Sequence, residues 1–200
     1  MTTILARAGA AALVGLAALG CLRPDPAAAA DPTGTWLTED GRARVRTEHC
    51  GPGQAHLCGY VVWLSKPNDE AGQARVDRYN PDPRKQARGT LGQQMILGLK
   101  PNDEGRYAGK IYNGDNGKSY DITAWSEQPA ELSVKGCMLA VFCGSQTWTR
   151  VSDVLPGQLA GATDAPGGPR SDPEWAAKPA TTGTAGPKGR AGDARTPAAR

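Results

Sequence analysis

The stretch Glu131-Leu-Ser-Val-Lys-Gly-Cys137-Met-Leu-Ala-Val-Phe-Cys143-Gly-Ser-Gln-Thr-Trp-Thr-Arg150-Val constrains this chain more than any other. Two runs of strand character, Glu131–Lys135 and Ser145–Val151, flank a short segment bounded by two cysteines. Pairing Cys137 with Cys143 sets a hairpin register in which Leu132 faces Trp148 and Val134 faces Gln146. Side chains alternate along a strand, so Trp148 and Arg150 project from one face. Far upstream, Gly34-Thr-Trp36 opens another strand. A sheet that begins Gly-x-Trp and ends Trp-x-Arg can close on itself, with Arg150 laid over the indole of Trp36.

The segments between these ends supply strands and turns, and none shows a helical period. Arg42–His49 alternates, with Arg42, Arg44, Arg46 and Glu48 on one face and Ala43, Val45 and Thr47 on the other. Leu57–Leu64, Gln93–Leu99, Arg106–Tyr112 and Ser119–Ser126 also read as strands, and Asn113–Gly117 is a strong hairpin turn. Lys66-Pro-Asn-Asp-Glu-Ala-Gly72 and Lys100-Pro-Asn-Asp-Glu-Gly105 repeat one another nearly letter for letter. Their flanks do not match, so they read as one turn chemistry used twice. A calcium loop would need oxygen spacing that neither has. The expected fold is all-β: an antiparallel meander of short strands closing into a small barrel over residues 31–151.

The ends are of another kind. Residues 1–30 read as a signal peptide: Arg7, an apolar run over Ala8–Leu19 too short to span a bilayer, and Ala28-Ala29-Ala30 as cleavage site. A lipoprotein acylated at Cys21 is the competing reading, with Ala18 where such signals usually carry a large aliphatic. Residues 152–200 are rich in Ala, Gly and Pro, with few large apolar groups after Leu159 apart from Trp175. Such a composition cannot offset the entropy of ordering, so a disordered tail is expected there. The address is exported, periplasmic or secreted, with no transmembrane segment in the mature chain.

Removal of Cys21 leaves Cys50, Cys58, Cys137 and Cys143. Four cysteines allow three connectivities, and proximity across plausible turns favours 50–58 and 137–143. Placing Cys50 opposite Cys58 would set Val45 against Trp63 and Thr47 against Val61 as interior pairs. His49, Cys50, His56 and Cys58 could instead be drawn as a metal site, but oxidised cysteines cannot ligate. The net charge is +3, and residues 31–151 carry 15 Lys and Arg against 14 Asp and Glu. No basic field of the kind nucleic acid needs is present.

Several motifs taken together resemble a known bacterial exported family, domain-of-unknown-function family 2147. They are Gly34-Thr-Trp36-Leu-Thr-Glu-Asp-Gly41, Cys58-Gly-Tyr-Val-Val-Trp63-Leu, Asp77-Arg-Tyr-Asn80-Pro, Gly109-Lys-Ile-Tyr112 with Gly117-Lys-Ser-Tyr120, and Gln146-Thr-Trp148-Thr-Arg150. The turn Asn113–Gly117 and the long tail depart from the family's pattern. The resemblance implies a small lipocalin-like barrel and no catalytic activity. The Gly-x-Trp opener with a closing arginine is also similar to the lipocalin and wider calycin pattern, where the pair plugs one end of a barrel.

No nucleophile–base arrangement can be assembled from two histidines and oxidised cysteines, and no spacing singles out an acid–base pair among Asp77, Glu70 and Asp121. A non-enzymatic monomer without a cofactor is therefore expected. Recognition is assigned to Trp36, Trp63 and Trp125 around a small, partly apolar ligand. Asp77, Asn80, Arg84 and Arg88 are placed on a loop at the barrel mouth. Cys50, Cys58, Cys137, Cys143, Trp148 and Arg150 are assigned structural roles. The other reading is a protein-interaction module, such as an inhibitor of a cell-envelope hydrolase, working through loops 66–72 and 100–105.

Overall fold

The computed structural model describes residues 30–138 and 142–173. Residues 1–29, which hold most of the segment expected to be a signal peptide and Cys21 within it, and residues 174–200 lie outside the described residues. Alternating apolar positions between tight turns give eight strands: β1 (Gly34–Leu37), β2 (Ala43–Cys50), β3 (His56–Leu64), β4 (Gln94–Pro101), β5 (Tyr107–Asn113), β6 (Lys118–Trp125), β7 (Glu131–Met138) and β8 (Phe142–Arg150). Each pairs antiparallel with its sequence neighbour, and β8 pairs back onto β1 to close a barrel. Closure removes every free sheet edge.

The last hairpin has Leu132 opposite Trp148, Val134 opposite Gln146 and Cys137 opposite Cys143. The two near-identical loops share one turn chemistry. Asp69 Oδ1 accepts the N–H groups of Ala71 and Gln73. Asn102 Oδ1 accepts those of Glu104 and Arg106 in the same way. The extra Ala71 shifts the accepting residue by one position.

The β2–β3 hairpin corrects the expected register. Both disulfides form as expected, Cys50–Cys58 and Cys137–Cys143. Yet Cys50 faces His56 and Cys58 faces Glu48, so the bridge runs diagonally across the ladder. Val45 consequently faces Val61, and Thr47 faces Gly59. A bulge then puts Trp63 opposite Arg44 instead of Val45, which turns the indole to the outside.

Inward positions from seven strands make the main core, and Tyr107 and Ile111 of β5 pack against it half-buried. Trp36, Val45, Leu57, Ile96, Leu99, Ile122, Ala124, Leu132, Val134 and Trp148 are buried together. A second cluster lies on the outer face of β2 and β3, where Cys50, Cys58, Tyr60 and Val62 pack under Leu159. Leu159 belongs to the segment expected to be disordered. The structure instead lays residues 152–173 as an irregular strap over β2–β4.

That difference has a physical cause. The segment turns on itself, with Gly161 N–H donating to the Gly167 carbonyl and Asp164 N–H to the Pro169 carbonyl, and the outward arginines of β2 bond further carbonyls. Arg44 donates to the Asp153 carbonyl (2.7 Å) and carboxylate (3.0 Å), and Arg46 donates to the Gly161 carbonyl (2.8 Å). Arg44 also holds the Asp153 carboxyl below the usual carboxylate range. Further along, Tyr60 and Ser171 hydroxyls meet at 3.1 Å, and the Arg170 N–H donates to the Gly92 carbonyl. Burial pushes the Tyr60 hydroxyl up to about 12.

Candidate functional site

The barrel has two unlike ends, because its strands run out of side chains at one of them. At the first end, β1 begins and β8 finishes. Trp36 is fully buried there, and the Arg150 guanidinium lies 4.1 Å from its ring centre. The guanidinium donates to the backbone carbonyls of Thr33 (2.7 Å), Asp31 (2.9 Å) and Pro129. Gly34 is required for this seat: a Cβ there would collide with Arg150 Nη1, and its φ of +140° is closed to other residues. The Trp36 indole donates to Thr47 Oγ1 at 2.8 Å, and Thr47 donates to the Pro32 carbonyl at 2.6 Å. Every polar atom of the plug therefore has a partner, and the end is sealed.

At the opposite end a cavity of about 570 Å³ opens to solvent. Ile122, Val134 and Trp148 line it deep in the barrel, where they are buried. Ile111 and Tyr120 form one wall, and Glu39, Ser145 and Gln146 contribute polar groups. Gly136 and Gly144 also line it, facing each other across β7 and β8. A Cβ on Gly144 would meet nothing within 4 Å, while one on Gly136 would touch Ile122 at 3.4 Å, so the missing side chain at Gly144 leaves open space in this wall. Gln146 Oε1 accepts the Trp148 indole N–H at 2.9 Å, and Glu39 accepts the Thr147 backbone N–H at 2.7 Å. Tyr120 accepts from Asn116 Nδ2 at 2.9 Å. Beside Glu39, burial opposes the charge of Asp40, but donors from Arg42 and Thr38 outweigh it and bring the carboxyl to about 2.

Size and lining suit a small molecule with an apolar body and a polar head. Among the described residues, no group of three His, Cys, Asp or Glu side chains comes together to hold a metal ion.

Residues 34–150 match a family described as an uncharacterised protein conserved in bacteria (DUF2147). The chain belongs to this family. The match runs from the glycine to the arginine of the plug, so the strap lies beyond the matched part of this DUF2147 chain. No curated protein sequence matches it. Among solved structures it is similar to protein HP1028 from Helicobacter pylori, described as belonging to the lipocalin family. The TM-score is 0.50 at 20% identity, covering 62% of this chain and 85% of that one. That likeness fixes the fold as a lipocalin-like barrel. Two disulfides fit an oxidising compartment, and no helix among the described residues is long and apolar enough to cross a membrane.

In this DUF2147 barrel the three tryptophans assigned to recognition do not converge. Trp36 sits in the plug. Trp63 lies outside with the Arg44 guanidinium 5.9 Å from its ring, a consequence of the bulge. Trp125 lies on the outer wall of β5–β7, with Arg106 at 4.2 Å and beside a separate polar groove. The expected mouth loop is instead a buried polar knot on the outside of β5. Asp77 is fully buried and accepts from Tyr112 Oη (2.5 Å), Asn80 Nδ2 (2.7 Å) and Arg88 Nε (2.9 Å). Arg88 and Lys85 also hold Asp172 of the strap. Burial, and then the Asp77 carboxylate, push the Tyr112 hydroxyl up to about 12. Arg84 is exposed and pairs with Asp82, whose carboxyl that contact brings down to about 2. Sequence reading missed Glu39, Tyr120, Gln146 and the two glycines. Their signal was faint: Gly136 and Gly144 flank the cysteines at inward parity.

Proposed function

We propose that this protein is an exported binding module that carries or senses a small, partly apolar ligand in the cell envelope, and that its site is the open-end cavity. The single observation that supports this reading is the cavity itself, apolar at depth and polar at its rim, set in a barrel whose other end is sealed. An inhibitor acting through loops 66–72 and 100–105 would work equally well with a filled interior, so the cavity favours the carrier. A periplasmic or secreted address fits the two disulfides and the signal-like first 30 residues.

Native mass spectrometry of protein purified from its own cell envelope tests the reading directly. The expected result is a co-purifying small molecule, lost when Gly144→Phe fills the cavity. A co-purifying protein chain with no small molecule would favour the inhibitor. An empty barrel that also fails to bind the apolar probe anilinonaphthalene sulfonate would sink the carrier.

A further inference from the structure

Two disulfides tie this barrel, and they differ in what covers them. Cys50 and Cys58 are 6% and 0% exposed, packed with Tyr60 and Val62 beneath Leu159 of the strap. Gln94 Nε2 also lies 3.2 Å from Cys58 Sγ. On the other flank Cys143 is exposed and Cys137 is half-buried. Cys137 borders the inner cavity on one side and the outer groove of β5–β7 on the other. The strap contacts described above fall on β2, β3 and Gly92, and on Lys85 and Arg88.

Thiol–disulfide exchange requires a thiolate to reach one sulfur of the pair, so access selects which bridge reacts. We propose that Cys137–Cys143 is a thiol-exchange site, and that opening it loosens the cavity wall; the second half rests on the binding reading above. The co-reactant is a dithiol, either a small molecule or an envelope dithiol oxidoreductase. One thiolate of the dithiol attacks Cys143 Sγ, the Cys137–Cys143 bond breaks, and Cys137 leaves as a thiolate that takes a proton from water. The second thiol, deprotonated, then attacks the mixed disulfide and releases Cys143 as a thiolate. Two electrons pass from the dithiol, which becomes a disulfide, to the protein pair.

The wall depends on this bond for a stated reason. Between Cys137–Cys143 and the Val134–Gln146 pair, the inward residues facing each other are Gly136 and Gly144. Glycines carry no side chain to join β7 to β8 at that level, so the adjacent bridge is the covalent cross-strand tie there. With it open, the Gly136–Gly144 level keeps its backbone pairing but loses the cross-strand bond beside it.

The test titrates oxidised protein with dithiothreitol, alkylates with N-ethylmaleimide at intervals, and maps the modified peptides. Cys137 and Cys143 should be modified on the order of tenfold sooner than Cys50 and Cys58, with the circular dichroism spectrum unchanged. Modification of Cys50 and Cys58 first, or of all four together as the spectrum collapses, overturns the exchange site. In parallel, anilinonaphthalene sulfonate should bind severalfold more weakly once only the 137–143 bridge is open. Unchanged affinity overturns the link to the cavity. Absence of probe binding by oxidised protein overturns the link, and joined to an empty barrel by mass spectrometry it overturns the carrier reading too, while the alkylation order still decides the exchange site. A Cys137→Ser/Cys143→Ser double variant should melt cooperatively and show the weakened probe affinity without reductant.

Discussion

The two ends of the barrel are built from the same strands and solve opposite problems. At the plugged end a large indole, a guanidinium and a ring of carbonyls fill the space and satisfy one another. At the open end Gly144 leaves open space, and the nearby polar groups bond to their own wall. The plug concentrates stabilising contacts on two residues, whereas the cavity is made by omission. Binding capacity and stability are thereby separated along one axis, so substitutions at the two ends should have different kinds of effect.

The contrast is broken most severely by Trp36→Ala. Removing a fully buried indole at the seal should cost about 4 kcal/mol, measured as a shift of the urea midpoint. A cost near zero would mean that the plug carries no more than the rest of the core. Arg150→Ala should cost about 2 kcal/mol, from lost carbonyl contacts and the cation–π pair. Arg150→Lys should recover only part of it, because an ammonium cannot donate along the same fork. Equal midpoints for lysine and wild type would reduce Arg150 to a point charge.

A smaller effect is expected from the outside of the open end's wall. The folded pKa of Tyr112, about 12, lies above the unfolded value of about 10. Its contribution is therefore complete below pH 10 and is lost as pH rises from 10 towards 12. The melting temperature should fall by a few degrees across that window, and less so in Tyr112→Phe. Tyr60, raised likewise, acts in the same direction beneath the strap. An identical alkaline profile in Tyr112→Phe would show that its hydroxyl is not part of the response. The smallest change in stability belongs to Gly144→Phe, within about 0.5 kcal/mol of wild type, because the new ring enters empty space. Probe binding should nevertheless be abolished. A large destabilisation instead would mean that the cavity is not available to a side chain.

These ends were not equally legible in the sequence. The plug could be read because it is made by residues with a spacing: Gly34 and Trp36 at one terminus of the barrel, Trp148 and Arg150 at the other. The β7–β8 register followed for the same reason, since Cys137 and Cys143 bond directly across the ladder. The β2–β3 register did not, because Cys50–Cys58 bonds diagonally and one bulge reverses the face of Trp63. Composition hid the strap, whose order comes from Arg44, Arg46 and Arg88 far away in the chain. Asp77 was noticed, but density of polar residues does not distinguish a rim from a buried knot. The cavity itself is made of missing atoms, and a sequence displays only those present.

Seven of the eight strand pairings join consecutive strands, and β1 with β8 is the exception. Consecutive hairpins close short loops cheaply, while joining β1 to β8 must close nearly the whole domain. The contact between Trp36 and Arg150 therefore completes late, after the meander has assembled. Interactions absent from the transition state act on the rate of leaving the native basin. In a chevron plot Arg150→Ala should accordingly raise the unfolding limb and leave the folding limb nearly in place. The arginine then acts as a kinetic clasp, setting how long the closed barrel lasts once it has formed.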